Sequence, residues 1–181
     1  MNKTVLLMTL AFIGTSVLLS SPARAEKLQL KLGADASVFW PTSSKTRDQL
    51  GNSWFSVGLG LSQIRVATER GSVSPELQFI SQKKDNNKAV FGYLGMSYRK
   101  AIGPASAAMV PYAGASAGIG ALKIEVPSQN IDSGYSIRPA GSVFTGITYT
   151  EHAFAELRYT VATKVDGYDL SGLQARAGYR F

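Results

Sequence analysis

Residues 170–181 read LSGLQARAGYRF and alternate with period two. Ser171, Leu173, Ala175, Ala177, Tyr179 and Phe181 share one parity; Gly172, Gln174, Arg176, Gly178 and Arg180 share the other. That period predicts a strand with one apolar and one polar face. The pattern runs to the final residue. A strand there has both backbone edges satisfied most simply if its sheet closes on itself.

The same alternation recurs along the chain. Between residues 28 and 40, Leu28, Leu30, Leu32, Ala34, Ala36, Val38 and Trp40 oppose Gln29, Lys31, Gly33, Asp35 and Ser37, with Phe39 breaking the polar row. Residues 54–64 set Phe55, Val57, Leu59 and Leu61 against Ser56, Gly58, Gly60 and Ser62. Residues 73–82 set Val73, Leu77 and Phe79 against Ser74, Glu76 and Gln78, with Pro75 placed for a strand start or a bulge. Residues 89–99 are a strand of mixed faces. There Phe91 and Tyr93 compete with Val90, Leu94, Met96 and Tyr98, and a bulge near Gly92 or Gly95 would let both sets face outward. Residues 110–126 align Gly114, Gly118 and Gly120 with Tyr112, Ser116 and Leu122, and residues 137–149 align Val143, Ile147 and Tyr149. Residues 153–163 set Ala153, Ala155, Leu157, Tyr159 and Val161 against Phe154, Glu156, Arg158 and Thr160.

Between these runs lie turn-forming stretches: 41–53, 65–72, KKDNNK at 83–88, 100–108 with Gly103-Pro104, 127–136, 150–152, and 164–169 with the hairpin signal Asp166-Gly167. The count is eight strands of about ten residues, the length of a tilted membrane-crossing strand. No helical periodicity and no domain boundary stand out. The predicted fold is all-β: an eight-stranded antiparallel up-and-down transmembrane β-barrel over residues 26–181.

Residues 1–25 read as a cleaved signal peptide. Lys3 precedes an interrupted apolar run from Val5 to Leu19, and Ala23-Arg24-Ala25 fits an A-x-A cleavage site. Without Lys3 and Arg24 the chain keeps 17 basic and 12 acidic residues, a scattered net charge of +5. Nothing clusters with aromatics as a nucleic-acid surface would. The absence of cysteine excludes disulfides and thiolate metal sites. No second apolar run of helical membrane length follows residue 25, so a membrane-embedded chain would have to be a barrel.

With the N-terminus on the periplasmic side, aromatics fall into two groups. Trp40, Trp54, Phe55, Phe79, Phe91 and Tyr168 lie near the outer loops; Tyr98, Tyr112, Tyr149, Phe154, Tyr179 and Phe181 lie near the periplasmic turns. Two interfacial belts are expected of a membrane barrel. The polar faces hold Lys31, Asp35, Glu76, Glu156, Arg158 and Arg176, with Arg180 beside them. An eight-stranded lumen is only wide enough for side chains, so these charges are expected to pair as a plug rather than line a path.

The signal peptide, the eight amphipathic strands and the ending Ala177-Gly178-Tyr179-Arg180-Phe181 resemble the small bacterial outer-membrane β-barrels. The ending is similar to that of the OmpX/Ail group, and the plan to the OmpA transmembrane domain. The resemblance implies location in the cell outer membrane and contact with its lipids. It also implies that Tyr179 and Phe181 form the signal read by the barrel assembly machinery. On loop length, the chain is not expected to carry the protruding sheet of the OmpX/Ail group.

Catalytic chemistry has little to build on. PagL-like deacylases use a His-x-Ser pair, whereas the single histidine, His152, is followed by Ala153 and Phe154 in a turn on the periplasmic side. A Ser-His-acid triad would need that same histidine. No metal-ligand spacing appears, no phosphate-binding loop precedes a helix, and no cofactor is implied. The expected function is non-enzymatic, membrane-structural or a surface interaction with an unidentified ligand through the outer loops. The alternative is a soluble, exported lipocalin-like barrel with the apolar faces inward around an apolar ligand. Exposure of Lys31, Glu156, Arg158 and Arg176 distinguishes them, because only the membrane barrel buries all four inside.

Overall fold

The computed structural model describes residues 31–62, 71–102, 108–150 and 152–181, without the side chains of residues 31, 61 and 62. The expected signal peptide, residues 28–30 of the first strand, and most of the turns expected at 65–72 and 100–108 lie outside the described residues. The elements are β1 (Lys31–Pro41), α1 (Ser44–Leu50), β2 (Trp54–Ser62), β3 (Ser72–Lys84), β4 (Asn87–Ala101), β5 (Met109–Val126), β6 (Ile131–Asp132), β7 (Ser136–Tyr149), β8 (Ala153–Ala162) and β9 (Gly172–Arg180).

Every long strand pairs antiparallel with its neighbour in sequence, and β9 returns to β1. Eight strands therefore close an up-and-down barrel, with the two-residue β6 appended to β5. Phe181 completes the seam by donating its N–H to the Leu32 carbonyl at 2.7 Å. The register fixes the tilt. Pairing leads from Gly33 through Gly60, Glu76, Gly95, Gly118 and Ala140 to Ala162. Two residues back on β8, Thr160 leads through Gly172 to Pro41. The circuit thus advances eight residues plus two, a shear of about 10, which for eight strands is a tilt of about 40°.

Lys31 and Phe181 share one end, here the terminal end; α1 sits at the other, the loop end. Outward positions are apolar throughout the middle: Leu59, Leu94, Val143 and Leu157 are each more than half exposed. Between Lys100 near the terminal end and Lys83, Lys88 and Lys123 near the loop end, no described outward residue is charged. Lys88 and Lys100 lie on the same strand. At the rise and tilt of β4 they stand about 30 Å apart along the axis, the thickness of a bilayer's hydrocarbon core.

Four expectations need correcting. Residues 41–53 are not all loop, since they contain α1. Ser43 caps it, with Oγ accepting the Thr46 N–H at 3.4 Å, and Gly51 ends it at φ 98°. The helix has only two buried residues, Thr46 and Leu50, so seven residues show too little periodicity to be read. The 83–88 loop is a tight hairpin in which Lys84 pairs with Asn87 and Asp85 turns at φ 54°. The loop over 127–136 holds a single 3-10 turn (Pro127–Gln129) and β6, with Asn130 in the left-handed region. Finally, β4 has no bulge. Its register with β3 is unbroken from Lys84–Asn87 to Ser72–Arg99. Phe91 and Tyr93 face inward, and Leu94, Met96 and Tyr98 face outward.

Inward aromatics fit because glycines lie opposite them. Phe144 pairs with Gly114, Tyr112 with Gly146, and Phe154 with Gly178. A Cβ added at Gly178 would sit 2.6 Å from the Phe154 ring and 2.6 Å from the Ala34 carbonyl. Gly178→Val is therefore expected to cost about 1–3 kcal/mol by overpacking, measured as a lower urea midpoint of the folded barrel. An unchanged midpoint would show that Phe154 moves aside freely.

Candidate functional site: the filled lumen

The lumen is filled in three layers. At mid-height, strands β1, β3, β8 and β9 bring five charged side chains together. Arg176 donates to Asp35 through Nε at 3.1 Å and Nη2 at 2.6 Å, and to Glu76 Oε1 at 2.7 Å. Arg158 donates to the same Glu76 oxygen at 2.7 Å and to Glu156 at 3.0 Å. Glu156 is the hub. It also receives Arg176 at 3.3 Å and the Tyr112 hydroxyl at 3.0 Å, and Arg99 lies 3.4 Å away. Three carboxylates thus meet three guanidiniums, and all but Arg99 are nearly fully buried. Unit charges so close stabilise one another strongly out of water, but only as a balanced set.

Of the sequence-derived lumen residues, Asp35, Glu76, Glu156, Arg158 and Arg176 are joined here. Lys31 opens β1 opposite Ser62, and its side chain lies outside the described structure. Arg99 and Tyr112 were missed. Arg99 sits on the inward parity of β4, the strand whose faces the sequence left open. Tyr112 shares a parity with the inward glycines, a signal that could have placed it.

Toward the loop end follows a layer of small polar groups. Gln174 donates to Ser37 at 2.7 Å, Gln78 to Ser56 at 3.3 Å, and Tyr93 to Ser116, itself 2.7 Å from Ser142. Beyond it the interior is apolar: Phe39, Trp54, Ile80, Phe91, Leu122, Ile124, Val126 and Leu50 of α1 form one buried cluster. Tyr168 joins it, its ring under the Lys45 ammonium at 4.4 Å and its hydroxyl donating to Gln129 at 2.9 Å. Burial raises the pKa of that loop-end phenol. Trp54, Phe91 and Tyr168, expected in the outer belt, are therefore core residues, as are Tyr112 and Phe154 near the other end. Of the rings expected in the two belts, those that face outward are Trp40, Phe55 and Phe79 toward the loop end and Tyr98, Tyr149, Tyr179 and Phe181 toward the terminal end; Tyr159 on β8 also faces outward.

The apolar cluster exposes a change of sign along single strands. On β5 the inward row runs from Tyr112 and Ser116 to Leu122, Ile124 and Val126, while the outward row runs from Ala113 and Ile119 to Lys123 and Glu125. On β3 the inward Glu76 and Gln78 give way to Ile80, and the outward Leu77 and Phe79 to Ser81 and Lys83. The reversal falls in one register row, since Ile80 pairs with Phe91 and Phe91 with Leu122. A wall wetted on the outside must be apolar inside, and a wall in hydrocarbon can be polar inside.

At the terminal end a recess of about 30 Å³ lies among Asp35, Glu76, Arg99, Phe154, Arg176 and Arg180, space for a water or two. Glu76 Oε2 and Arg99 Nε, both buried and without a hydrogen-bond partner, belong to residues lining it. His152 lies in the turn nearby. Its Nδ1 donates to the Arg180 carbonyl at 2.9 Å and its ring stacks on Tyr179. Among the described residues no group of three or more His, Asp or Glu is placed to hold a metal.

No protein-family model matches the chain, and no curated protein does. Solved structures share the architecture. Neisserial surface protein A (NspA) is 19% identical over 86% of this chain and 98% of its own, with a TM-score of 0.61. The N-terminal β-barrel domain of Pseudomonas aeruginosa OprF is 14% identical over 86% and 100%, with a TM-score of 0.49. The outer membrane enzyme PagL is 12% identical over 82% and 98%, with a TM-score of 0.47. The chain thus has the fold of the small outer-membrane β-barrels; at these identities the likeness concerns the fold alone.

Proposed function

We propose that the chain is a closed, non-enzymatic barrel of the outer membrane, with the loop end at the cell surface and a membrane-structural or surface-interaction role. The reversal of face polarity along β3 and β5 carries this reading. It marks where the wall leaves hydrocarbon for water, and a lipocalin-like barrel in water throughout would have no such level. The uncharged outer band and its flanking aromatics agree with it.

A closed lumen follows from its contents. The mid-height charges are spent on one another, and the apolar cluster under α1 seals the loop end. The only histidine of the chain is committed to Arg180 and Tyr179 at the terminal end, away from any surface substrate. Residues 1–25 act in this reading as an export signal, so the mature chain starts at Glu26. The outward Tyr179 and Phe181, in edge contact at 5.4 Å, present the terminal signal to the barrel assembly machinery.

Cell fractionation tests the reading. The protein is expected with outer membranes, starting at Glu26 by mass, and shifting in gel mobility on boiling. In planar bilayers it is expected to show no stable conductance steps. Recovery from the aqueous periplasm would contradict the membrane placement, and steady ion conductance would contradict the closed lumen.

A further inference from the structure

The loop-end edge of the outer band carries two lysines set side by side. Lys83 and Lys88 are register partners on β3 and β4, on the outward parity of both strands and exposed. Like charges directly opposite destabilise an antiparallel pair. Among the described residues neither ammonium has a carboxylate partner. The neighbouring charges are otherwise engaged or turned away. Glu125, the β5 partner of Lys88, is held by Lys123, which also lies 3.9 Å from Asp132. Lys84 faces the other side of β3 and donates to the Asp48 carbonyl at 2.6 Å. Asp85 is exposed at the hairpin corner.

Directly toward the terminal end the surface turns apolar. Ser81 pairs with Val90, then Phe79 with Gly92. Gly92 leaves a notch there, because a Cβ built on it would meet nothing nearer than the Ala121 carbonyl at 4.0 Å. Phe79, about half exposed, walls one side. The arrangement is a double cation above an apolar notch walled by Phe79, at the level where headgroups would meet hydrocarbon.

From this juxtaposition we infer that Lys83 and Lys88 bind the phosphate of an acylated, phosphorylated lipid whose chain lies over Gly92. The inference rests on the membrane placement proposed above. Two ammoniums around one phosphate relieve their mutual repulsion, and each lysine near an anionic surface contributes about 1 kcal/mol. A free phosphate would satisfy the lysines but leave the notch unused, so the site is assigned to a lipid.

The experiment uses the full mature chain in phosphatidylcholine bilayers with trace spin-labelled phosphatidic acid or spin-labelled phosphatidylcholine. Electron spin resonance reads the preference for the phosphomonoester. The wild type is expected to prefer phosphatidic acid several-fold. Lys83→Ala and Lys88→Ala are each expected to weaken it by up to about 5-fold, while Lys100→Ala at the opposite edge leaves it. No preference in the wild type, or equal loss in the Lys100 variant, would overturn the site. Abolition by millimolar inorganic phosphate would overturn the assignment to a lipid. Failure of the chain to enter bilayers would instead contradict the membrane placement itself.

Discussion

Glu156→Gln is expected to cost the folded barrel about 3–5 kcal/mol, the usual loss when one member of a buried ion set is removed. The side chain keeps its volume, so no cavity is made. What changes is the charge balance: Arg99, Arg158 and Arg176 would share Glu76 and Asp35 alone. Of these, Arg158 keeps only its 2.7 Å bond to Glu76, an oxygen already occupied by Arg176. Unfolding in urea, followed by gel mobility or circular dichroism, should show the midpoint fall sharply. Glu125→Gln, which removes a carboxylate from the solvated rim beside Lys123, should leave it unchanged. Equal midpoints for the Glu156 variant and the wild type would mean that the central network contributes no more than the rim.

Leu157→Arg tests the outer wall. Leu157 lies halfway along β8 with about half its surface exposed. In hydrocarbon an arginine at that depth costs about 2–4 kcal/mol, whereas near the interface the cost falls to about 0–1 kcal/mol. Ile137, equally outward but at the loop-end limit of β7, supplies the comparison. Folding into lipid vesicles should therefore be strongly impaired for Leu157→Arg and nearly normal for Ile137→Arg. Equal effects at both depths would contradict a bilayer around the wall.

The barrel was legible in the sequence because alternation is a property of the wall itself. Where a strand has hydrocarbon outside and polar groups inside, as β8 and β9 do, Leu157 opposite Arg158 or Leu173 opposite Gln174 suffices to assign both faces. The same rule failed at the loop end for a physical reason. There β3, β4 and β5 rise beyond the apolar band, and inward positions become Ile80, Phe91 and Leu122 while outward ones become Lys83, Lys88 and Lys123. Residues 89–99 span that reversal, so parity alone leaves their faces unassigned and invites a bulge that the register does not contain. The displaced aromatics have the same origin. Trp54 and Tyr168 stand near strand ends, where composition cannot distinguish an interfacial ring from one folded over the lumen. α1 escaped because its burial rests on Leu50 and Thr46 meeting the barrel mouth, a contact without local signature. In the lumen, Asp35, Glu76, Glu156, Arg158 and Arg176 announced themselves by parity. That Glu156 is the hub depends on Arg99 and Tyr112, which arrive from β4 and β5 through the closed register.

The central claim is that the outward faces meet hydrocarbon. Single spin labels on cysteines placed at Leu59 and Leu157, with the protein reconstituted in bilayers, test it most directly by comparing collisions with oxygen and with a water-soluble nickel chelate. Both labels should collide freely with oxygen and hardly at all with nickel, while a label on the exposed loop residue Asp85 does the reverse. Ready access of nickel to positions 59 and 157 would place those faces in water and contradict the account.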